Sequence, residues 1–174
     1  PSEPAVNGVP TAMEVHFVHI NHDHGCSAGE RPLLVIGAFI NAPNAPNAQG
    51  ASARAAGGGH ELDRLFEGEL PRSKSDPAAF VDRVNLAALL PAGAPEMRYE
   101  GGLTAPSNAC PSFAPLSTQL VTGEFPEAVH WFLYQTPEVA SRDAVTKFRE
   151  IFEEGNARAL KSVNGRHVYV QHAR

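Results

Sequence analysis

Two short segments rich in β-branched and aromatic residues, MEVHFVHI at 13–20 and LLVIGAFI at 33–40, constrain the fold of this chain most strongly. The first alternates its side chains between two faces with a period of two residues, which favours a β-strand. The second is continuously apolar, as expected of a strand that is buried on both faces. Polar turn residues separate the two segments, so the sequence predicts neighbouring strands joined by a short polar loop.

The composition indicates one globular domain over 1–174 with a large share of loop. Apolar residues make up 43% and charged residues 19% of the 174 residues, while fifteen Gly and fifteen Pro indicate many turns. The net charge of −5 and the lack of a Lys/Arg cluster argue against nucleic-acid binding. No apolar run in the sequence reaches the roughly 20 residues that a membrane-spanning helix needs.

The rest of the chain predicts further strands, a few short helices and two insertions. The Asn-Ala-Pro repeat and the Ala/Gly run at 41–59 predict a flexible, exposed insertion, and 107–127 predicts a second loop insertion. The other predicted elements are helices at 60–70 and 141–155, a helical turn with an extended end at 78–90, and strands at 128–135 and 166–171. The segment 98–110 is interpreted as irregular and punctuated by glycine and proline. Several strands, few helices and many loops make the chain mainly β.

The segment 141–155 is the clearest helix in the sequence. Ser141 is suited to cap its first turn, which Asp143 also favours, and Gly155 is suited to end it. An apolar stripe at helical spacing is formed by Val145, Phe148, Ile151 and Phe152.

Four of the eight histidines lie within residues 12–25. Glu14 and His16 are two residues apart in the predicted strand and therefore project from the same face. Two interpretations of this pair stay open: a metal ligand whose second ring nitrogen is oriented by the acid, or a core histidine that Glu14 satisfies. His19 falls on the opposite face and is interpreted as structural. The turn that follows is interpreted as solvent-exposed, with a loop-borne metal site as the alternative, and it contains His22, Asp23 and His24.

Six segments, taken in order, are similar to those of a known family. They read AMEVHFVHIN, LLVIGAFI, LAALLP, YEGGLTAP, VHWFLYQTPEVASRDAVTKFR and NARALKSVNGR. In this order they resemble the α-class carbonic anhydrases over nearly the whole chain, apart from 41–77 and 107–127. The resemblance implies a mainly β fold with a twisted, mostly antiparallel central sheet and short peripheral helices, incomplete at its N-terminal side.

The resemblance further implies a zinc-dependent lyase that hydrates CO2 reversibly to bicarbonate and a proton. His16 matches one of three zinc-binding histidines, and Glu14 matches the acid that holds the second nitrogen of that ring. Thr104 matches a threonine whose hydroxyl accepts a hydrogen bond from zinc-bound hydroxide, and Glu3 matches the acid that accepts the proton of that threonine. Zinc with three neutral histidines keeps a fourth position open and lowers the pKa of its water to about 7.

An apolar wall and two buried polar residues also follow from the resemblance. CO2 carries no charge and needs an apolar surface beside a fixed nucleophile. The residues that match this wall are Val18, Val35, Leu103, Val129 and Trp131. Asn156 and Arg158 match buried polar residues that brace the fold, so their role is expected to be structural.

Two of the three expected zinc histidines are missing, because the family carries them on a strand upstream of the matched segments. The expected partners are therefore CO2 and bicarbonate, a Zn²⁺ ion, and an N-terminal segment or second chain that completes the fold; a homo-oligomer is the other assembly considered. His22, His24 and His60 are not taken as substitutes for the missing ligands. The alternative function is a catalytically silent carbonic-anhydrase-like module for binding or assembly, and the pairing of Thr104 with Glu3 favours the enzyme.

The two cysteines leave the disulfide pairing open. Cys110 lies near a cysteine that many secreted members of the family bond to one in their N-terminal part, which would leave Cys26 a separate thiol. A Cys26–Cys110 bridge is the competing interpretation. Either disulfide implies an exported location, such as the extracellular space, a periplasm or an organelle lumen.

Overall fold

The structure is a computed structural model that describes most of the chain. The described residues are 2–21, 32–43, 61–66, 70, 84–108, 110, 113–122, 127 and 129–172. Most of the predicted insertion at 41–59 lies outside them, as do the first residues of the predicted segment 78–90. Five residues discussed above also lie outside them, namely His22, Asp23, His24, Cys26 and His60.

Five strands form one sheet. They are β1 (Met13–Ile20), β2 (Leu33–Asn41), β3 (Glu96–Gly101), β4 (Val129–Val139) and β5 (Tyr169–Gln171). Their order across the sheet is β1-β2-β4-β3-β5, which places β1 and β5 at its edges. The short edge strand β5 pairs antiparallel with β3, and the register sets Val170 opposite Met97 and Tyr169 opposite Arg98.

Three short α-helices and one 3₁₀ turn complete the regular structure of the described residues. They are α1 (Glu61–Leu65), the 3₁₀ turn Leu86–Leu89, α2 (Leu116–Thr122) and α3 (Arg142–Ile151). Among the described residues, no helix has the length and apolar character needed to cross a lipid bilayer. The prediction of a mainly β chain with few, short helices is confirmed.

The strands at 13–20 and 33–40 are confirmed, and β4 continues beyond the predicted end at 135 to Val139. β3 was not predicted, because the charged side chains of Arg98 and Glu100 within 98–110 obscured the alternation with half-buried neighbours. β5 begins at Tyr169 rather than at 166, since a tight turn comes before it.

The predicted loop insertion at 107–127 contains the helix α2. Gln119 of this helix is fully buried, and its side-chain amide pairs with the backbone of Ser107. The Oε1 atom accepts from the N–H of Ser107 at 3.0 Å, and Nε2 donates to the carbonyl oxygen of the same residue at 3.1 Å. The part of this segment that the structure describes is therefore ordered by a helix rather than being only a loop.

The chain divides into two compact units. The first comprises Pro1–Val15, Ala38–Ala94 and Tyr134–Leu160, and the second comprises His16–Gly37, Pro95–Leu133 and Lys161–Arg174. The backbone of β1, β2 and β4 passes through both. The single domain over 1–174 stays a prediction. Buried apolar residues of the first unit include Met13, Phe39, Ile40, Leu62, Leu89 and Val145, and those of the second include Leu33, Val35, Leu103, Val129, Trp131 and Leu133.

In the first unit, α3 begins as the sequence predicts. The Oγ atom of Ser141 accepts a hydrogen bond from the N–H of Ala144 at 3.1 Å and so caps the first turn. The N–H of Ser141 donates to Oδ1 of Asp63 at 2.8 Å, and the rings of Phe66 and Phe148 meet edge to face with centroids 6.3 Å apart. These contacts fix the start of α3 against α1. The helix ends before the predicted 155.

Candidate active site

His16 lies on β1 in the second unit, and its imidazole packs against the indole of Trp131. The two ring centroids are 5.0 Å apart and the ring planes make an angle of 73°, which is an edge-to-face contact. The Nε2 atom of His16 is buried and has no hydrogen-bond partner among the described residues, while the residue also interacts with other groups. Aromatic packing therefore holds the predicted ligand in a defined ring orientation.

Gly37 of β2 lies close to Leu133 and to the ring of His16. A Cβ atom at this position would lie 2.4 Å from Cδ2 of Leu133 and 3.6 Å from Cδ2 of His16. The first distance is well below any contact that a real Cβ makes, so a larger residue would push Leu133 aside. The absence of a side chain at Gly37 therefore makes room for Leu133, whereas the distance to His16 is that of an ordinary van der Waals contact.

Glu14 precedes His16 by two residues on β1, as the sequence predicts, so both side chains leave the same face of the strand. Glu14 belongs to the first unit and is half-buried. It takes part in interactions of its own, and so does His16. The role of Glu14 in orienting the imidazole stays a prediction.

Four of the five predicted wall residues are buried in the second unit. The exposed fraction of the residue is 0% for Val129, 1% for Val35, 2% for Trp131 and 8% for Leu103. Val18 differs, with 57% of its surface exposed. It lies among the last three residues of the edge strand β1, all of which are exposed. Four of the five residues predicted to form the apolar wall are therefore buried, and Val18 is not.

The indole of Trp131 also holds the segment that carries Thr104. Its Nε1 donates a hydrogen bond to the carbonyl oxygen of Gly102 at 3.1 Å. The ring stacks on Tyr99 of β3 with a centroid distance of 6.0 Å and an angle of 5° between the planes. Leu103 and the half-buried Thr104 follow directly. Trp131 thus contacts β1, β3 and the segment that carries Thr104, the predicted catalytic threonine.

Glu3, in the first unit, carries a buried carboxylate oxygen. Its Oε1 accepts the backbone N–H of Arg158 at 3.0 Å. Its Oε2 is buried and has no hydrogen-bond partner among the described residues. Because a buried carboxylate oxygen without a donor is costly, Oε2 has the properties expected of an acceptor in a functional hydrogen bond.

The two residues expected to brace the fold, Asn156 and Arg158, differ in their burial. Arg158 is half-buried and its backbone is held by Glu3. Asn156 is exposed, which corrects the expectation that it is buried. The reason is its place in the stretch 152–156 that follows α3, where every residue is exposed.

The other histidine of β1 has a local hydrogen-bonding role. His19 is exposed, and its Nδ1 lies 3.0 Å from the carbonyl oxygen of Phe17. Among the described residues, no group of three or more His, Cys, Asp or Glu side chains is arranged to hold a metal ion. The described residues therefore do not fit a complete three-histidine zinc site, of which His16 would be one ligand.

Two features of the site were not predicted. Tyr99 stacks on Trp131, and Gly37 lets β2 approach its neighbours. For Tyr99, the available sequence signal was the alternation of Met97 and Tyr99 with charged residues, which is typical of a strand. The glycine within an otherwise bulky apolar strand was a signal for the second, because glycine inside a strand often marks a close approach.

Cys110 is buried, with 2% of its surface exposed. The one other cysteine in the sequence, Cys26, lies outside the described residues. The pairing of the two therefore stays a prediction.

Comparisons with known proteins identify the fold. No family model matches the sequence. The chain is 28% identical to carbonic anhydrase 1 of Monodelphis domestica over 172 residues, which cover 95% of this chain and 54% of that protein. It therefore spans about half the length of the curated relative that it matches.

Solved structures agree with this match. The α-carbonic anhydrase from Thermovibrio ammonificans, solved with the inhibitor sulfanilamide, is similar with a TM-score of 0.67 and 25% identity, over 97% of this chain and 57% of that one. Carbonic anhydrase Cah3 from Chlamydomonas reinhardtii, in complex with acetazolamide, gives a TM-score of 0.59 and 23% identity, over 98% and 61%. The chain has an α-carbonic-anhydrase-like fold, as the sequence predicted.

Proposed function

We propose that this chain, whose fold is that of the α-carbonic anhydrases, is part of an enzyme that hydrates CO2 reversibly to bicarbonate and a proton. The chain covers 54% of its curated relative, so the proposal concerns the native protein that contains it. The reaction class would be that of a zinc-dependent lyase.

The observation that carries the proposal is the contact between His16 and Trp131 at 5.0 Å. It sets a side chain of the type that ligates zinc against the largest of four buried apolar residues. CO2 has no charge and is a weak hydrogen-bond acceptor, so water does not compete with it for an apolar surface. A surface of this kind is suited to hold the substrate beside a nucleophile.

The cofactor that this fold implies is Zn²⁺, and three imidazoles are the ligand set expected of a zinc site of this kind. His16 is the ligand that the described residues offer. We assign the two further histidines to the part of the native protein that lies beyond the matched region, on the same chain or on a second one. That additional part would also complete the fold.

Thr104 and Glu3 are the proposed groups for orienting the reacting oxygen. Thr104 belongs to the segment that Trp131 tethers through Gly102. Glu3 retains a buried carboxylate oxygen, Oε2, without a donor among the described residues. A threonine hydroxyl that donates its proton to such a carboxylate is left with its lone pairs, so it accepts a hydrogen bond from the attacking oxygen and fixes its orientation.

A further proposal concerns location and starts from the two cysteines of the sequence. We propose that Cys110 pairs with Cys26 and that the protein is exported, because stable disulfides form in oxidising compartments. Quantifying free thiols in the unreduced, denatured protein tests the pairing. Two free thiols per chain would contradict it.

Stopped-flow measurement of CO2 hydration with a pH indicator tests the proposed function. The native protein is expected to accelerate hydration above the buffer rate and to be inhibited by a sulfonamide. A preparation that is folded, contains zinc and leaves the buffer rate unchanged would instead support the alternative of a catalytically silent module.

A further inference from the structure

A half-open cavity of about 440 Å³ lies in the second unit. Trp131 lines it, and none of the other residues assigned to CO2 hydration does. The cavity is bordered by the middle of β3, the first half of β4 and the segment that leads into β5. A volume of this size is within the range of pockets that bind small organic ligands. Its lining combines arginine, histidine and aromatic side chains.

One arginine of this cavity, Arg166, is held rigidly by its own turn. Asn164 and Gly165 have φ angles of 53° and 76°, as in a type I′ turn, and the N–H of Arg166 donates to the carbonyl oxygen of Val163 at 3.0 Å. The side chain folds back over this turn. Its Nε donates to the carbonyl oxygen of Val163 at 2.9 Å and its Nη2 to that of Ser162 at 3.0 Å.

The third guanidinium nitrogen of Arg166 reaches β3. The Nη1 atom lies 3.0 Å from the position that a Cβ at Gly101 would occupy, beside the rings of Tyr99 and Trp131. Among the described residues, no carboxylate lies within ion-pair distance of Arg166. The cavity is thus lined by a fixed cation whose charge is not neutralised by a neighbouring acid.

The other arginine of the lining, Arg98, is already paired. Arg98 forms an ion pair with Glu96, and its guanidinium packs over the ring of Phe132 at 4.9 Å. His130 lies 3.8 Å from Glu100, and the two form an ion pair only when the imidazole is protonated. The attraction for an anion is therefore concentrated at Arg166, which suits a ligand with a single negative charge.

The remaining lining surface is aromatic. Tyr99, Phe132 and Tyr169 contribute rings to the cavity, and Tyr169 is 66% exposed. Aromatic faces favour a flat, apolar ligand body, with which they stack or meet edge to face. A compact anion such as inorganic phosphate would gain nothing from them.

We propose that this cavity binds a small aromatic carboxylate, with the carboxylate on Arg166 and the ring against the aromatic side chains. Nη1 is the guanidinium nitrogen of Arg166 that does not donate to the backbone of the turn, so it is the donor proposed for the carboxylate, through a charge-assisted hydrogen bond. The inference does not rest on CO2 hydration, since none of its contacts involves His16, Thr104 or Glu3.

Isothermal titration of the native protein with benzoate tests the site, with benzamide as the neutral analogue of the same shape. Benzoate is expected to bind saturably and benzamide not to bind. Arg166→Gln should weaken benzoate binding by about tenfold or more, since it removes a charge-assisted hydrogen bond. Arg98→Gln is the matched control, and its effect should stay within about twofold because that cation is already paired.

Two further variants make the outcome decisive. Tyr169→Ala removes an exposed ring without touching Arg166 and should weaken benzoate binding by about threefold to tenfold. His16→Ala should leave benzoate binding unchanged. If this variant no longer bound benzoate, benzoate would bind at the proposed metal site, and the inference would be overturned. Equal binding of benzoate and benzamide, or equal affinities in the wild-type and Arg166→Gln proteins, would overturn it as well.

Discussion

The imidazole of His16 meets the indole of Trp131 edge to face, with 5.0 Å between the ring centroids. The same indole donates its N–H to the carbonyl oxygen of Gly102 at 3.1 Å, two residues before Thr104. A single buried side chain therefore positions both the candidate ligand and the segment of the candidate catalytic threonine.

The substitution Trp131→Phe tests that role. It keeps an aromatic ring but removes the donor to Gly102, which leaves a carbonyl oxygen without its partner. We expect a loss of about 1–3 kcal/mol in the free energy of unfolding and a reduced kcat/KM for CO2 hydration. Urea unfolding measures the free energy of unfolding, and stopped-flow kinetics measure kcat/KM. The neighbouring variant Phe132→Leu should leave kcat/KM unchanged, and equal kcat/KM values for both variants and the wild type would contradict the double role.

The substitution Gly37→Ala tests the close approach of β2 to its neighbours. The added methyl would lie 2.4 Å from Leu133, and we expect the overpacking to lower the free energy of unfolding by about 1–3 kcal/mol. The Leu133→Ala background removes the obstructing atoms. There the same glycine substitution should cost clearly less, and equal costs in both backgrounds would show that the clash is not the cause.

Thr104 and Glu3 are expected to act as a pair in the zinc-loaded native enzyme. Thr104→Ala and Glu3→Gln should each lower kcat/KM for CO2 hydration by about a hundredfold, because each would break the proposed chain of hydrogen bonds to the attacking oxygen. In a double-mutant cycle, the combined variant should be little worse than either single one. Fully additive losses would mean that the two residues act independently.

The N-cap of α3 has a stability prediction of its own. Ser141→Ala removes the acceptor of the Ala144 N–H and should cost about 1 kcal/mol of unfolding free energy, measured by chemical denaturation. The control is Thr146→Ala at an exposed position of the same helix, which should be neutral or slightly stabilising. A smaller loss for Ser141→Ala than for the control would show that the cap contributes nothing.

The strands and the start of α3 could be predicted because their signals are local. β1 and β2 follow from side-chain periodicity, and Ser141 is a capping residue next to an apolar stripe. The order of the matched segments also predicted the α-carbonic-anhydrase-like fold, which the solved structures confirm.

The contacts around Trp131 could not be predicted in the same way. They join residues far apart in the sequence, and their geometry depends on how β3 and β4 pair. The burial of Asn156 was expected from a sequence match alone, and a match says nothing about which neighbours cover a side chain. The charged residues of β3 made this strand hard to recognise in the sequence, so its place between β4 and β5 could not be predicted.

The most direct test of the central claim compares zinc content and CO2 hydration in the native protein and its His16→Ala variant, with His19→Ala as the control. His19 lies on the same strand but is exposed and hydrogen-bonds locally. We expect about one zinc per molecule and active hydration for the wild type and His19→Ala, and the loss of both for His16→Ala. Zinc content and hydration that survive His16→Ala would contradict it.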